Sequence, residues 1–310
     1  MKIVAFAGGV GGAKLVDGLA HILSPEDLKV VVNTGDDFEH LGLYICPDLD
    51  TICYTLAGMA NPLTGWGRVD ETWQTMDNLT RLGGPAWFKI GDQDFATHLE
   101  RTRRMKEHQP LSQIIREFCK TWEIKQTILP MSDQPIKTIV ETDEGFMDFQ
   151  EYFVHRECKP VVKGFKFSGI EAALAAPGVR EAIDDSDLIV ICPSNPWVSI
   201  GPILSLPDIK SKIKSKQVVA ISPIIHGQAV KGPAAKMYRE LGIQPSALSV
   251  AQHYQGIATH FVLDNADVGL QLEVLRLNIT PFVTDILMKS SKDRQQLAQD
   301  VLNFVESNNQ

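Results

Sequence analysis

Short, continuous apolar runs recur along the chain, and several of them are separated by stretches with helical periodicity. Five of these runs end in loops of glycine, proline, serine, asparagine or aspartate: "KIVAFAGG", "KVVVNTGDD", "DLIVICPSNP", "QVVAISPIIHG" and "HFVLDNAD". Runs of this kind are typical of strands buried on both faces. They predict an α/β fold, a Rossmann-like doubly wound and mostly parallel sheet. Because ligands of such sheets bind beyond the carboxyl ends of the strands, we expect the five loops to converge on one crevice.

Two segments depart from this pattern. Residues 51–125 contain mainly helical patterns, including "QDFATHLERTRRMKEH" and "PLSQIIREFCKTWEI", and predict a helical insertion that covers the crevice. Residues 138–155 alternate polar and apolar positions and predict a small antiparallel hairpin with its turn at residues 143–145. We therefore expect a single α/β domain over residues 1–310.

The basic residues of the first helical pattern are expected to form a solvated face: Arg101, Arg103, Arg104 and Lys106.

Composition limits the class of protein. The chain has 310 residues, of which 44% are hydrophobic and 22% charged, as in soluble globular proteins. Its formal charge of -8 argues against a broad nucleic-acid or membrane surface. No apolar run approaches the roughly 18 residues of a membrane span, and the first apolar stretch is broken by glycine too early for a secretory signal, so we expect a cytoplasmic protein. The five cysteines form no C-x-x-C pair and are expected to be reduced, mostly buried thiols.

The most glycine-rich loop, "AFAGGVGGAKL", fits neither of the two best-known glycine motifs. The third glycine of G-x-G-x-x-G is missing, and the P-loop pattern fails at Ala13 and Leu15. What remains is a strand, a loop with little side-chain bulk and a helix N-terminus, where free N–H groups favour an anion. A tight turn without a ligand is the alternative, but four glycines exceed what turning needs. We predict a site for a phosphate-bearing ligand at Gly8, Gly9, Gly11, Gly12 and Lys14.

Four carboxylates lie within fifteen residues after the second apolar run: Asp36, Asp37, Asp48 and Asp50. Such clustering is repulsive unless a cation relieves it, and oxygen-only ligands favour magnesium. We therefore predict that these aspartates bind Mg²⁺. The alternatives are that Asp50 only caps the helix beginning at "TICYTLAG" and that Asp36 is only a turn residue.

Two further segments carry candidate binding residues. In "WFKIGDQDFATH", Lys89 is expected near the end of an aromatic-led strand, where it would meet a ligand oxygen or lie on the surface. In "CPSNPWVSIGPIL", two prolines stiffen the loop around Ser194 and Asn195, and Ser199 is expected near the start of the next helix. The side chains of Ser194 and Asn195 can hydrogen-bond a nucleotide base or phosphate.

These loops in combination, with "PDLDTICYTLAG", "LPMSDQPIKT", "SPIIHG" and "GPAAKM", resemble the 2-phospho-L-lactate transferase family from residue 1 to the C-terminal segment. The resemblance implies transfer of a 2-phospholactyl group from lactyl-diphospho-guanosine to the ribityl hydroxyl of 7,8-didemethyl-8-hydroxy-5-deazariboflavin. GMP would be released, magnesium would be required, and the product would be a precursor of coenzyme F-420. A phosphoenolpyruvyl donor is a variant within the family, and the sequence leaves the choice between the two donors open.

The resemblance also implies roles for the candidate residues. The glycine loop and Lys14 would hold the guanosine diphosphate portion of the donor together with Ser194, Asn195 and Ser199. Asp50 would orient the acceptor hydroxyl and either bind metal or accept its proton, and Lys89 would contact the deazaflavin. The supporting catalytic and metal candidates are Asp48, Asp36 and Asp37. A homodimer acting only on small molecules is expected.

Two other functions compete with this interpretation. A related family of the same fold resembles regulatory proteins that bind uridine-diphosphate sugars without catalysis, but its pattern lacks the "PDLDT" and "GDQDFATH" carboxylates present here. A nicotinamide-dependent dehydrogenase is disfavoured by the missing third glycine. The sequence therefore favours the transferase.

Overall fold

The computed structural model describes residues 1–308. The strands in this part of the chain are β1 (Ile3–Ala7), β2 (Leu28–Val32), β3 (Phe38–His40), β4 (Leu43–Ile45), β5 (Thr127–Pro130), β6 (Lys137–Thr142), β7 (Gly145–Asp148), β8 (Val162–Ser168), β9 (Leu188–Ile191), β10 (Gln217–Ile221), β11 (Ile224–Ile225), β12 (Gln228–Ala229), β13 (His260–Asp264) and β14 (Thr280–Thr284).

The α-helices are α1 (Gly9–Ile22), α2 (Pro47–Leu56), α3 (Gln74–Arg81), α4 (Asp92–Lys106), α5 (Leu111–Thr121), α6 (Val179–Asp185), α7 (Gly201–Ser205), α8 (Pro207–Lys212), α9 (Ala234–Glu240), α10 (Ala247–His253), α11 (Gln271–Arg276) and α12 (Ser291–Ser307). Short 3₁₀ or π turns connect several of them, among them the π turn at Pro196–Ile200.

The central sheet has seven strands in the order β14-β13-β10-β9-β1-β2-β5, and every pairing in it is parallel. Strand order reverses between β1 and β9, which is the switch point where doubly wound folds bind ligands. The predicted fold class is confirmed. The five predicted apolar runs correspond to β1, β2, β9, β10 and β13.

The apolar side chains of β1 divide between two cores because successive residues of a strand face opposite sides of the sheet. Val4 and Phe6 pack into the core beneath α6 to α11, whereas Ile3, Ala5 and Ala7 pack beneath α1, α2, α5 and α12. All five side chains are buried. The sheet is thus covered on both faces and leaves its carboxyl edge as the place where a site can form.

Smaller sheets lie beside this edge. β6 pairs with β7 and β8 in an antiparallel three-stranded sheet, and β3 pairs with β4 in a hairpin. The predicted hairpin over 138–155 is therefore correct as far as Asp148, but residues 151–155 form a π turn instead of a strand. The small antiparallel element is larger than predicted because β8 adds a third strand to it.

Between β4 and β5 the chain forms α2 to α5. The strand predicted around Lys89 is wrong, because residues 82–91 have no regular structure and Asp92 begins α4.

All five cysteines are free and four are buried, as predicted. Within residues 1–308, no helix is both long enough and apolar enough to cross a membrane.

Candidate functional site

The loops after β1 and β9 are joined at the switch point by paired hydrogen bonds. The Gly8 N–H donates to Ser194 Oγ at 3.2 Å, and the Ser194 hydroxyl donates to the Gly8 carbonyl at 2.8 Å. Ser194 is buried, so its hydroxyl ties two loops together. The neighbouring Asn195 caps the following π turn by accepting the Trp197 N–H at 3.0 Å.

The glycines of the first loop are required by the packing of these loops. A methyl carbon at Gly8 would lie 2.8 Å from Ser199 Cβ, and one at Gly12 would lie 2.7 Å from Ser194 Oγ. Gly9 has φ +62°, a conformation that favours glycine. The number of glycines is therefore explained by turning and close approach, and does not by itself indicate a ligand.

Asp48, in the first turn of α2, faces the glycine loop. Its Oδ1 accepts the Gly9 N–H at 2.7 Å, and its Oδ2 accepts the Asn33 side-chain amide at 2.9 Å. Burial raises the pKa of Asp48 to about 6, although both hydrogen bonds oppose this shift. A carboxyl group that titrates near neutral pH can hold or release a proton during a reaction.

Asn33 was not among the predicted site residues. It follows β2 directly, is fully buried, and also accepts the Gly35 N–H through Oδ1 at 2.8 Å. The sequence does contain a signal for Asn33, because it is a polar residue placed directly after a buried parallel strand, where ligands of such sheets bind.

Asp36 and Asp37 lie on the turn between β2 and β3, and both are buried. Within residues 1–308, Asp36 Oδ1, both carboxylate oxygens of Asp37 and the buried hydroxyls of Thr34 and Thr138 make no hydrogen bond of good geometry. Thr138 and Asn33 nevertheless lie close enough to Asp36, and Cys46 close enough to Asp37, to lower the pKa of each carboxyl in part. Burial raises the pKa of both aspartates, and the charge of Asp48 raises that of Asp36 further. Buried carboxylates without partners are costly unless a ligand satisfies them.

Asp50 is engaged by Arg101 of α4. Arg101 Nη1 donates to Asp50 Oδ2 at 3.1 Å, and Nη2 forms a short ion pair with Asp50 Oδ1. Asp50 is the fourth residue of α2, whose N-cap is Cys46, so the capping alternative is wrong.

The prediction of a solvated face is wrong for Arg101, which is 0% exposed, whereas Arg103 is 52% exposed and pairs with glutamates of its own helix.

His98 and Asp94 extend this buried network along α4. His98 Nε2 lies 3.4 Å from Asp94 Oδ1, which also accepts the Tyr54 hydroxyl at 2.6 Å, and His98 Nδ1 lies 3.6 Å from Asp50 Oδ2. Ligand atoms of Asp50, Asp94 and His98 lie within 4.8 Å of one another. Arg101 already supplies a cation to this triad, so it is a poorer metal site than the unpartnered carboxylates of Asp36 and Asp37.

Aromatic side chains of β3 and of the insertion pack against each other. Phe38, which follows Asp37, meets the ring of Phe88 edge-on at 4.9 Å and that of Trp87 at 6.0 Å. We call Phe38, Trp87 and Phe88 the aromatic wall. Lys89 follows this wall in the sequence and is exposed.

Lys14 lies within a group of cations beyond the glycine loop. Its Nζ donates to the Met288 carbonyl at 2.8 Å, and its pKa is lowered by burial and by the charges of Arg294 and Lys231. Lys231 in turn donates a short hydrogen bond to the Thr64 carbonyl of the insertion. The insertion thus reaches across to the residues around the glycine loop.

The structure therefore brings some of the predicted site residues into contact and leaves others apart. Gly8, Gly9, Asp48, Ser194 and Ser199 meet at the switch point. The charges of Asp37 and Asp48 act on Asp36, and those of Asp48 and Asp50 act on Asp37. Within residues 1–308, neither Lys14 nor Lys89 forms a hydrogen bond or an ion pair with these aspartates. Arg101, Asp94 and His98 enter the site from a helix whose i, i+4, i+7 spacing could have indicated a shared face.

Three comparisons with known proteins bear on this site. A family model described as "2-phospho-L-lactate transferase CofD" matches residues 3–302. A phosphoenolpyruvate transferase of Streptomyces griseus is 41% identical over 97% of this chain and 99% of its own length. A 2-phospho-L-lactate transferase of Methanosarcina barkeri is 38% identical over 98% and 99%, respectively. A solved structure from Bacillus halodurans, a member of the UPF0052 family, superposes with a TM-score of 0.64 at 15% identity, covering 97% of this chain and 99% of that one.

Proposed function

The chain belongs to the 2-phospho-L-lactate transferase CofD family, and on that premise we propose which groups it transfers and how. The donor is lactyl-diphospho-guanosine or its enolpyruvyl counterpart, and the acceptor is the ribityl hydroxyl of 7,8-didemethyl-8-hydroxy-5-deazariboflavin. GMP leaves, and the product is a precursor of coenzyme F-420. The observation that carries this proposal is the buried group of aspartates beside the glycine loop, two of which have oxygens without partners.

The donor diphosphate is assigned to the glycine loop and the N-terminus of α1. Helix N-termini present free N–H groups and a partial positive charge to phosphate. The cations around Lys14 support this assignment: burial lowers the pKa of Lys14 most, the charges of Arg294 and Lys231 lower it further, and an anion would relieve their repulsion. Ser194, Asn195 and Ser199 contribute mainly by fixing the loop, since the first two already bind neighbouring backbone.

Magnesium is assigned to Asp36 and Asp37, with Asp48 adjacent. The residues fit a hard cation, because their unpartnered oxygens are buried and magnesium is held by one or two carboxylates plus substrate phosphates. When bound, the ion supplies neutralisation of charge on the transferred phosphoryl group. Asp50 is a weaker ligand candidate than the sequence suggests, since Arg101 occupies both of its oxygens.

The acceptor is assigned to the space beside the aromatic wall. A flat heterocycle gains from aromatic contacts, and Lys89 lies at the exposed end of this segment. Phe38 adjoins Asp37 in the sequence, so an acceptor held there would extend its polyol chain towards the aspartates.

The protein's own part in the reaction is positioning and proton transfer. The acceptor hydroxyl attacks the distal phosphorus as the bond to the GMP oxygen breaks, so no covalent enzyme intermediate is needed. Asp48 is the best placed proton acceptor, because burial brings its pKa to about 6 while Gly9 and Asn33 fix both oxygens. Most of the rate enhancement comes from orientation and charge stabilisation.

The relatives leave the donor open, because one is named a phosphoenolpyruvate transferase and the other a 2-phospho-L-lactate transferase at similar identity. We propose a homodimer in the cytoplasm. The non-catalytic nucleotide-sugar binder has no support from these relatives, which are named as transferases.

The decisive assay mixes the protein with deazariboflavin, MgCl₂ and each donor in turn, and follows GMP and the phospholactyl- or phosphoenolpyruvyl-deazaflavin by mass spectrometry. Asp48→Asn should abolish most turnover, and Asp77→Asn, at an exposed position of α3, is the matched control. Product from the wild type and the control alone supports the proposal. No product from either donor, with tight binding of a nucleotide sugar, would overturn it.

A further inference from the structure

Helix α4 is attached to α2 by polar groups that are almost completely buried. Three residues of α4, Asp94, His98 and Arg101, share one face, and they meet Asp50 and Tyr54, which are one turn apart on α2. The guanidinium of Arg101 donates hydrogen bonds to both carboxylate oxygens of Asp50, and its Nη1 lies 3.3 Å from His98 Nδ1. The two helices are therefore held in one register by directional contacts.

The same helix is also attached to the β3–β4 hairpin. Arg101 Nη1 donates to the Tyr44 carbonyl at 3.3 Å, and the Tyr44 N–H donates to the Thr102 hydroxyl at 2.7 Å. Arg101 thus bonds at once to α2, which carries Asp48, and to the hairpin, which carries Phe38. No other buried cation touches both elements in the described part of the chain.

Helix α4 supports the aromatic wall. Ile90, just before the helix, is fully buried in the small core around Phe38, and Phe95 of its first turn packs against the same core. Trp87 and Phe88 lie in the irregular segment that leads into α4. A shift of α4 would therefore move the wall relative to the aspartates.

We propose that Arg101 is a positioning residue that holds α4 and the aromatic wall in register with Asp48, and so sets the place of the acceptor. This inference rests on the proposed function, which assigns the acceptor to the wall and the donor to the glycine loop. Arg101 has no hydrogen bond or ion pair with the glycine loop or Lys14 among the described residues, since its partners are Tyr44, Asp50 and His98, so loss of Arg101 should affect the acceptor more than the donor.

Arginine is required here because its planar fork bonds two carboxylate oxygens and a carbonyl at the same time. Lysine keeps the charge but acts as a point donor and cannot make this set of contacts. We expect Arg101→Lys to raise the KM for deazariboflavin about tenfold to a hundredfold, the size of effect that small misplacement has in enzymes. The dissociation constant for GDP should stay within about twofold of the wild type.

The test measures acceptor binding by deazariboflavin fluorescence and GDP binding by calorimetry, together with turnover and the melting temperature. Arg101→Met is the stronger variant, and Arg101→Lys serves if the buried Asp50 without its partner prevents folding. Arg103→Lys is the matched control, because Arg103 lies on the same helix with exposed partners.

A selective loss of acceptor binding in the Arg101 variants, with GDP binding and the control unchanged, is the expected result. Equal weakening of both ligands together with a lower melting temperature would mean that Arg101 only stabilises the fold. Unchanged acceptor binding would also overturn the inference. Because both ligands are measured without turnover, these outcomes differ from failure of the proposed function, in which the wild type itself forms no product.

Discussion

Replacing Gly8 with alanine tests whether the position of Asp48 matters for the reaction. The backbone of Gly8 is extended, with φ −158°, so alanine is conformationally allowed and any effect must come from contact. A methyl carbon there would lie 2.8 Å from Ser199 Cβ and closer still to Asp48 Oδ2, whereas ordinary contacts are 3.4 Å or longer. Both side chains must therefore withdraw by more than about half an ångström.

The expected cost follows from overpacking and from displacement. Overpacking of this size lowers the free energy of unfolding by about 1–3 kcal/mol. For 310 residues, with an unfolding entropy of about 2.1 cal/mol/K per residue, this corresponds to a melting temperature lower by roughly 2–5 °C. Because Asp48 would lose its place against Gly9 and Asn33, we expect kcat to fall about a hundredfold.

The assay compares melting temperature and turnover of Gly8→Ala with those of Gly269→Ala. Nothing lies within 4 Å of a methyl carbon at Gly269, so this control should match the wild type in both measurements. A Gly8→Ala enzyme with a lower melting temperature and an unchanged kcat would refute the reasoning, because Asp48 would then have moved without consequence for the chemistry.

Three further predictions concern stability and ligand binding. Burial lowers the pKa of His253 to about 4 from 6.5, so the unfolded chain takes up the proton first as the pH falls. The contribution of His253 to the free energy of unfolding should thus decline by about 3 kcal/mol between pH 6.5 and 4, opposite in sign to the contributions of the buried aspartates whose pKa is raised. His253→Phe should remove this decline in urea titrations at several pH values, and parallel curves for the two proteins would contradict it. Asn33→Ala removes the amide donor to Asp48 and the acceptor for the Gly35 N–H, so it should lower the free energy of unfolding by about 2 kcal/mol. A wild-type urea midpoint would contradict this expectation. MgCl₂ at about 100 times its dissociation constant should stabilise the wild type by about 2.7 kcal/mol and stabilise Asp36→Asn much less. Equal thermal shifts would remove Asp36 from the metal site.

The fold was predictable from sequence where the sheet is most deeply buried. β1 and β9 are short apolar runs with every residue buried, and their pattern predicts parallel strands directly. The pattern did not identify β5 and β14, which form the two edges of the sheet. β14 is only partly buried and contains Pro281, and such features weaken the signal of a strand.

The site was predictable as a set of loops but not as a set of contacts. Three arginines occur within four residues of α4, and although Arg101 shares a face with Asp94 and His98, that spacing does not tell whether the face is buried or, like the position of Arg103, exposed. Arg101 is buried because it pairs with Asp50, which lies 51 positions earlier in the chain. This pairing can be recognised only once α2 and α4 are packed together. Similarly, Ser194 carries a side chain suited to a ligand, but tertiary packing turns its hydroxyl to Gly8.

The hydrogen bonds between Gly8 and Ser194 also bear on when activity can arise during folding. The two residues are 186 positions apart, and they meet only after β9 has paired beside β1. A chain that has emerged from the ribosome through β5 already contains the glycine loop, Asn33, Asp48 and Arg101, but has no partner for one edge of β1. Contacts of such long sequence separation form slowly because a large loop must close first. We therefore expect refolding molecules to regain helical signal well before they regain turnover, so that catalysis reports completion of the whole sheet.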